Sequence, residues 1–219
     1  EDASKASGAK HVWTDESKAI LTQMANGDWG VYEPIDINLF GSVSIEKYDA
    51  VTGQTAQGEA TLAGAKFQVI NRSSNSVKVG NKVYAPGDVI CELTTDAKGF
   101  AKTDNIFPVG TYEIKEISAP TGYLLNSQWK QTFSVTADKK DHCFSYADGT
   151  GCPDTVITGK IQITKKIVNT IDNLNAAEVG AKFSVADKNG TVVDTITTGE
   201  NGIGISKNLP YGTYTIKQI

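Results

Sequence analysis

The chain reads as an all-β protein built from tandem units, and three observations carry that reading. Apolar and polar residues alternate over short runs, as strands with one buried face require. Gly, Asn and Asp interrupt the runs at short intervals and supply turns. Similar segments also recur in the same order: "GSVSIEK" (41–47) as "GKIQITK" (159–165), "LAGAKFQV" (62–69) as "EVGAKFSV" (178–185), "TTDAKGFA" (94–101) as "TTGENGIG" (197–204), and "FPVGTYEIKEI" (107–117) as "LPYGTYTIKQI" (209–219). The 219 residues therefore divide into a leading segment, 1–40, one full unit, 41–158, and the beginning of a second, 159–219.

The leading segment is the exception to β structure. "DESKAILTQMANG" (15–27) places Ala19, Ile20 and Met24 at helical spacing, with Thr14 as N-cap and Asn26-Gly27 as stop. It reads as the tail of a preceding domain. In the first unit, strands are expected near 42–48, 64–71, 88–95, 110–118, 128–136 and 152–158. "VKVGNKVY" (77–84) alternates around Gly80-Asn81, a two-residue hairpin signal that the second unit lacks. Gly-Thr-Tyr before each copy of the 110–118 strand marks a tight turn. Almost no linker separates the strand ending near Thr158 from the one starting at Lys160, so the units read as stacked rods.

Composition excludes several classes. Apolar residues make up 39%, enough for ordinary cores, and the net charge of −4 offers no basic surface for nucleic acid. No apolar run reaches transmembrane length. The abrupt ends at Glu1 and Ile219 read as those of a fragment, so missing targeting signals carry no weight. His11 and His142 are isolated, no Ser/His/Asp or Cys/His pairing has supporting context, and the glycines form no phosphate loop. No enzyme, cofactor or metal site is expected.

Two charged residues sit at positions that should be apolar. Val43, Ile45 and Lys47 share one face of the first strand, as Ile161, Ile163 and Lys165 do in the second unit. Tyr112, Ile114 and Glu116 likewise share one face. One reading is an ion pair, with Lys47 snorkelling at a strand end toward Glu116. The other is covalent: burial strips the lysine of its charge and gives the carboxyl a proton. A neutral amine can then attack a neighbouring Asp or Asn side chain while Glu116 shuttles protons. Cys143 and Cys152 flank "FSYADGTG", a turn that could bring them together as a disulfide or leave two free thiols on a hairpin; Cys91 stays unpaired either way.

"KYD", "GAKF", "TTDAKG" and above all "YEIKEISAPTGYLL" resemble the collagen-adhesin B-type (Cna B) domain, also found in SpaA-like pilins of Gram-positive bacteria. The resemblance covers 41–158 fully and 159–219 in part. It implies a Greek-key β-sandwich of prealbumin or immunoglobulin-like type. It also implies a spontaneous isopeptide bond from Lys47 to an acceptor on the last strand, assisted by Glu116. Asp154 stands where the family places the acceptor, with Asp148 and Asp141 as fallbacks. In the second unit Lys165 matches the lysine, but Gln218 replaces the glutamate and cannot exchange a proton as a carboxyl can. No bond is therefore expected there.

The resemblance implies a stalk module of a secreted, cell-wall-anchored adhesin or pilus-associated protein. Its partners would be neighbouring domains of the same protein, host extracellular matrix or other bacterial surface proteins, with no membrane insertion by this segment. Two alternatives are a polymerising pilin and a thioester adhesin head. A polymerising pilin would carry a "YPK"-like segment, which "HVWTDESK" does not match. A thioester adhesin head would use Gln23 of "LTQMA", but no cysteine precedes it here.

Overall fold

The computed structural model describes residues 39–169 and 174–219. The expected helix at 15–27 and Gln23 lie outside them. The first repeat supplies β1 (Phe40–Asp49), β2 (Lys66–Asn71), β3 (Val77–Val79), β4 (Lys82–Tyr84), β5 (Val89–Thr94), β6 (Phe100–Lys102), β7 (Phe107–Pro108), β8 (Gly110–Ser118), β9 (Tyr123–Leu124), β10 (Lys130–Val135), β11 (Asp141–Phe144) and β12 (Cys152–Val156). Each expected strand is present. The short strands β6, β7, β9 and β11 were not expected, because runs of two to four residues carry too little alternation to stand out.

These strands form two sheets. In one, β1 pairs antiparallel with β6 and β7 along one side and parallel with β11 and β12 along the other, with β9 beyond β12. The other runs β10-β8-β2-β5, all antiparallel. The inward residues of both sheets make the core: Val43 and Ile45 from β1, Phe67 and Val69 from β2, Tyr112 and Ile114 from β8. Phe107, Tyr112 and Phe133 stack within it, with ring centroids 4.9 to 5.8 Å apart. The hairpin expected at 77–84 is β3–β4, with Val79 opposite Lys82 and Gly80 at φ +58° in the turn.

The second repeat supplies β13 (Thr158–Gly159), β14 (Gln162–Thr164), β15 (Lys166–Asn169), β16 (Leu174–Ala177), β17 (Lys182–Ala186), β18 (Val192–Thr197), β19 (Ile203–Ile205), β20 (Leu209–Pro210) and β21 (Thr215–Gln218). The pairs β13·β20 and β14·β19 repeat β1·β7 and β1·β6, and β18-β17-β21 repeats β5-β2-β8. Ile216, the counterpart of the fully buried Ile114, is 43% exposed. The β21 edge that corresponds to β8's contact with β10 has no strand beside it among the described residues. The repeats touch at Glu59, whose amide donates to Tyr211 O at 2.8 Å and whose carboxylate pairs with Lys188 Nζ at 3.4 Å.

Candidate functional site: a buried lysine among acidic groups

Lys47 reaches the core because β1 keeps its alternation to its end. Val43, Ile45, Lys47 and Asp49 all face inward and are at most 1% exposed. Backbone contacts fix the lysine's position: its amide donates to Gly99 O at 2.7 Å. Gly99 sits at φ +78°, and a Cβ there would lie 2.4 Å from Lys47 O, so glycine is required. On β8, Tyr112, Ile114 and Glu116 face inward as expected, and Glu116 is buried. β12 brings in Cys152 and Asp154, two apart on one face and both buried.

The structure brings Lys47, Glu116 and Asp154 together. Lys47 Nζ lies 2.9 Å from Glu116 Oε1 and in direct contact with Asp154 Oδ1, all three side chains being sealed from solvent. Cys152 Sγ accepts a third contact from Nζ at 3.1 Å. A lysine ammonium has three N–H donors, and each has a partner here. Asn126 closes the site from the side. Its backbone N–H donates to Glu116 Oε2 at 3.0 Å, and its Nδ2 donates to Pro153 O at 2.8 Å, tying the acid to the strand that carries Asp154. Neither Asn126 nor Cys152 was expected at this site. Asn126 acts through a backbone amide, which any residue carries, and Cys152 was read only as half of a possible disulfide or as a free thiol on a hairpin.

Two buried acids in this unit differ in a telling way. Asp49 is fully used: it accepts from Val51 N, Thr52 N, Gln57 Nε2 and Tyr123 OH at 2.8 to 3.0 Å. These bonds hold its carboxyl below the ordinary range even though burial, the largest influence, pushes upward. Asp154 Oδ2, by contrast, has no hydrogen-bond partner among the described residues. Burial pushes the Asp154 carboxyl up to about 7; Lys47 opposes this, while the nearby Glu116 adds to it. Asp154, unlike Asp49, is thus poised to hold a proton. The fallback residues lie elsewhere: Asp141 and Asp148 are exposed, bound to Ser42 and to Thr150 respectively.

One expectation is reversed. Burial alone pushes Lys47 down, but Cys152, Asp154 and Glu116 together outweigh it, and the net direction is up. In the uncoupled geometry the lysine is an ammonium, and any chemistry must begin by moving its proton. The ligand atoms of Glu116, Cys152 and Asp154 lie within 4.8 Å of one another, a spacing a metal could use. Lys47 Nζ already stands among them and supplies the positive charge.

The possible Cys143–Cys152 disulfide is corrected. All three cysteines are free. The "FSYADGTG" segment does not reverse the chain as a hairpin would, because β11 before it and β12 after it both run parallel to β1. Cys143 is opposite Ser44 and Cys152 opposite Lys47. Three positions along a strand amount to about 10 Å, beyond the roughly 7 Å that a disulfide spans between Cα atoms. Cys143 is also exposed while Cys152 faces the core.

In the second repeat the backbone is copied but the site is not. Lys165 N donates to Gly202 O at 2.7 Å, as Lys47 N does to Gly99 O. Yet Lys165 is about one-third exposed, with Glu178 at 3.7 Å as its ion-pair partner, and Gln218 is exposed on β21.

Comparison with known proteins adds the following. Residues 41–149 and 159–219 each match the family described as SpaA, prealbumin-like fold domain. Among solved structures, the Bacillus anthracis TIE protein is 27% identical with a TM-score of 0.59, over 83% of this chain and 29% of that one. A streptococcal ancillary pilin is 19% identical with a TM-score of 0.39, over 85% of this chain and 55% of that one. The major pilin SpaD of Corynebacterium diphtheriae is 14% identical with a TM-score of 0.40, over 82% and 55%. The chain therefore spans under a third of the first and about half of the other two. No curated protein matches it significantly.

Proposed function

The chain belongs to the SpaA family of prealbumin-like fold domains; on that premise we propose that it is a stalk module of a Gram-positive surface protein, stiffened by a Lys47–Asp154 isopeptide bond. The observation that carries this reading is the sealed contact of Lys47 Nζ with both Asp154 and Glu116. An ion pair alone gives no reason to bury three such groups, since a packed apolar cluster does as well or better.

The chemistry balances without any added reagent. Lys47 passes one proton to the Asp154 carboxylate, an uphill step because the lysine holds its proton more tightly, but one made less costly by the raised Asp154 pKa. The neutral amine attacks Asp154 Cγ, and Glu116 Oε1, 2.9 Å from Nζ, takes the second proton as the C–N bond forms. Glu116 returns that proton to the departing Asp154 oxygen. One amide and one water result, and Glu116 ends as it began. The event occurs once per chain, so it is self-modification and not turnover.

A tie between β1 and β12 joins the first and last strands of the unit. Closing a loop of about 100 residues stabilises by roughly 4–5 kcal/mol on chain-entropy grounds. The larger effect is kinetic, because unfolding under load is governed by its rate.

High-resolution mass of the intact, reduced chain tests the proposal. A deficit of one water is expected, restored to full mass in Glu116→Ala. Full mass in the unaltered chain would leave an ion pair and sink the covalent reading.

A further inference from the structure

The reaction above accounts for Glu116 and Asp154 but leaves the third neighbour of Lys47 Nζ without a role. Resting on that reading, we propose that Cys152 is a positioning residue for the Lys47 amine: its sulfur holds one of the two N–H groups that the neutral amine retains, so that the lone pair faces Asp154. The geometry supplies the reason. Lys47 and Cys152 are paired residues on parallel neighbouring strands, and their side chains emerge on the same face. Sγ lies 3.1 Å from Nζ, and both side chains are buried.

Once one proton has left, the amine has two N–H groups and one lone pair. Glu116 Oε1 at 2.9 Å and Cys152 Sγ at 3.1 Å take the N–H groups. The remaining tetrahedral direction is the one occupied by Asp154. An apolar residue at 152 would leave one N–H without its acceptor and free to swing toward Asp154 Oδ2, the buried oxygen that has no partner among the described residues. The amine could then turn its lone pair away from the carbon it must attack.

A thiol suits this task better than a stronger acceptor. Burial pushes the Cys152 thiol well above its ordinary range, so it stays protonated. It therefore neither draws off the lysine proton nor competes as a nucleophile for Asp154. A carboxylate at this position would instead hold the ammonium and delay proton transfer.

The test follows coupling in time. Full chains made in a short pulse of cell-free synthesis are quenched in acidic denaturant at intervals, and the coupled fraction is read from the one-water mass deficit. Cys152→Val, close in size but without an acceptor, is expected to couple about tenfold more slowly, the equivalent of about 1.4 kcal/mol. Cys152→Ser restores an acceptor and is expected to couple within about threefold of the unaltered rate. Circular dichroism before coupling checks that each variant folds; if the valine variant does not, Cys152→Ala takes its place with the same expectation. A folded valine or alanine variant that couples at the unaltered rate overturns the proposal. So does a serine variant as slow as the valine one, which would assign the effect to packing. An unaltered chain that never loses water fails at the earlier step, and both readings fall together.

Discussion

Replacing Glu116 by glutamine separates the cross-link from the packing around it. The substitution keeps the shape but only one oxygen, which can serve either Lys47 or the Asn126 amide, now 3.0 Å from Glu116 Oε2, while the NH2 faces the other donor. It removes the capacity to carry a proton, together with one acceptor and the negative charge, and leaves the packing volume unchanged. Lys47 and Asp154 remain in contact as an ion pair, so no charge is left buried alone. What is lost is the covalent loop of about 100 residues, worth roughly 4–5 kcal/mol. For a unit of this size, each kcal/mol moves the midpoint by about 4 °C, so Tm should fall by roughly 15–20 °C. Calorimetry of the full chain, run beside intact-mass measurement, reads both quantities. A chain that regains one water in mass but melts within about 5 °C of the unaltered protein would refute the claim that the tie stabilises the fold. A variant that still lacks one water would refute the role given to Glu116.

The same variant should acquire a pH dependence that the coupled protein lacks. Burial still holds its free Asp154 carboxyl above the ordinary 3.8, though without the Glu116 charge less far than in the unaltered chain, so that group's contribution is fullest below about pH 4 and is lost as pH rises through the raised folded value. The gap in Tm between the two proteins should therefore widen from pH 4 to pH 7.5, and a constant gap would contradict the assignment. Asp49→Ala should lose about 3 kcal/mol in urea unfolding, because it strands the donors of Val51, Thr52, Gln57 and Tyr123. Gly99→Ala should cost about 1–3 kcal/mol from strain at φ +78° and displace the Lys47 backbone, which slows coupling in the same mass assay. A thiol reagent should label Cys143 at once, Cys91 slowly and Cys152 only after unfolding, as their exposed, intermediate and buried positions dictate; fast labelling of Cys152 would contradict the sealed site.

Much of the site was legible because strand parity is a local property. Val43, Ile45 and Lys47 alternate, as do Tyr112, Ile114 and Glu116, and two-residue spacing alone turned both charges inward. Asp154 followed from the family pattern and from sharing a face with Val156. The charge state of Lys47 was not legible. Burial lowers it and three neighbours raise it, and those neighbours come from two other strands. The place of Cys152 was hidden for a related reason. A Gly-rich stretch between two cysteines looks the same whether the chain reverses or continues, and only the pairing of both flanking strands with β1 settles the direction. The short strands escaped notice because register with a long neighbour, and not their own sequence, makes them strands. The one-third-exposed Lys165 shows the converse. Its sequence context copies that of Lys47 closely, but its burial depends on strands that the described part of the second repeat does not contain.

The parallel placement of β12 beside β1 has a consequence for how such proteins grow. A domain whose first and last strands are antiparallel neighbours returns its chain to the side where it began, and a second copy must find room beside the first. Here the last strand runs in the direction of the first, and only Ile157 separates β12 from β13. A duplicated gene segment can thus be appended without rebuilding either copy, and Glu59 already offers a seam for the newcomer at Tyr211 and Lys188. Length becomes a quantity that unequal recombination can adjust one unit at a time, while each unit keeps or loses its own chemistry, as the contrast between Lys47 and Lys165 illustrates.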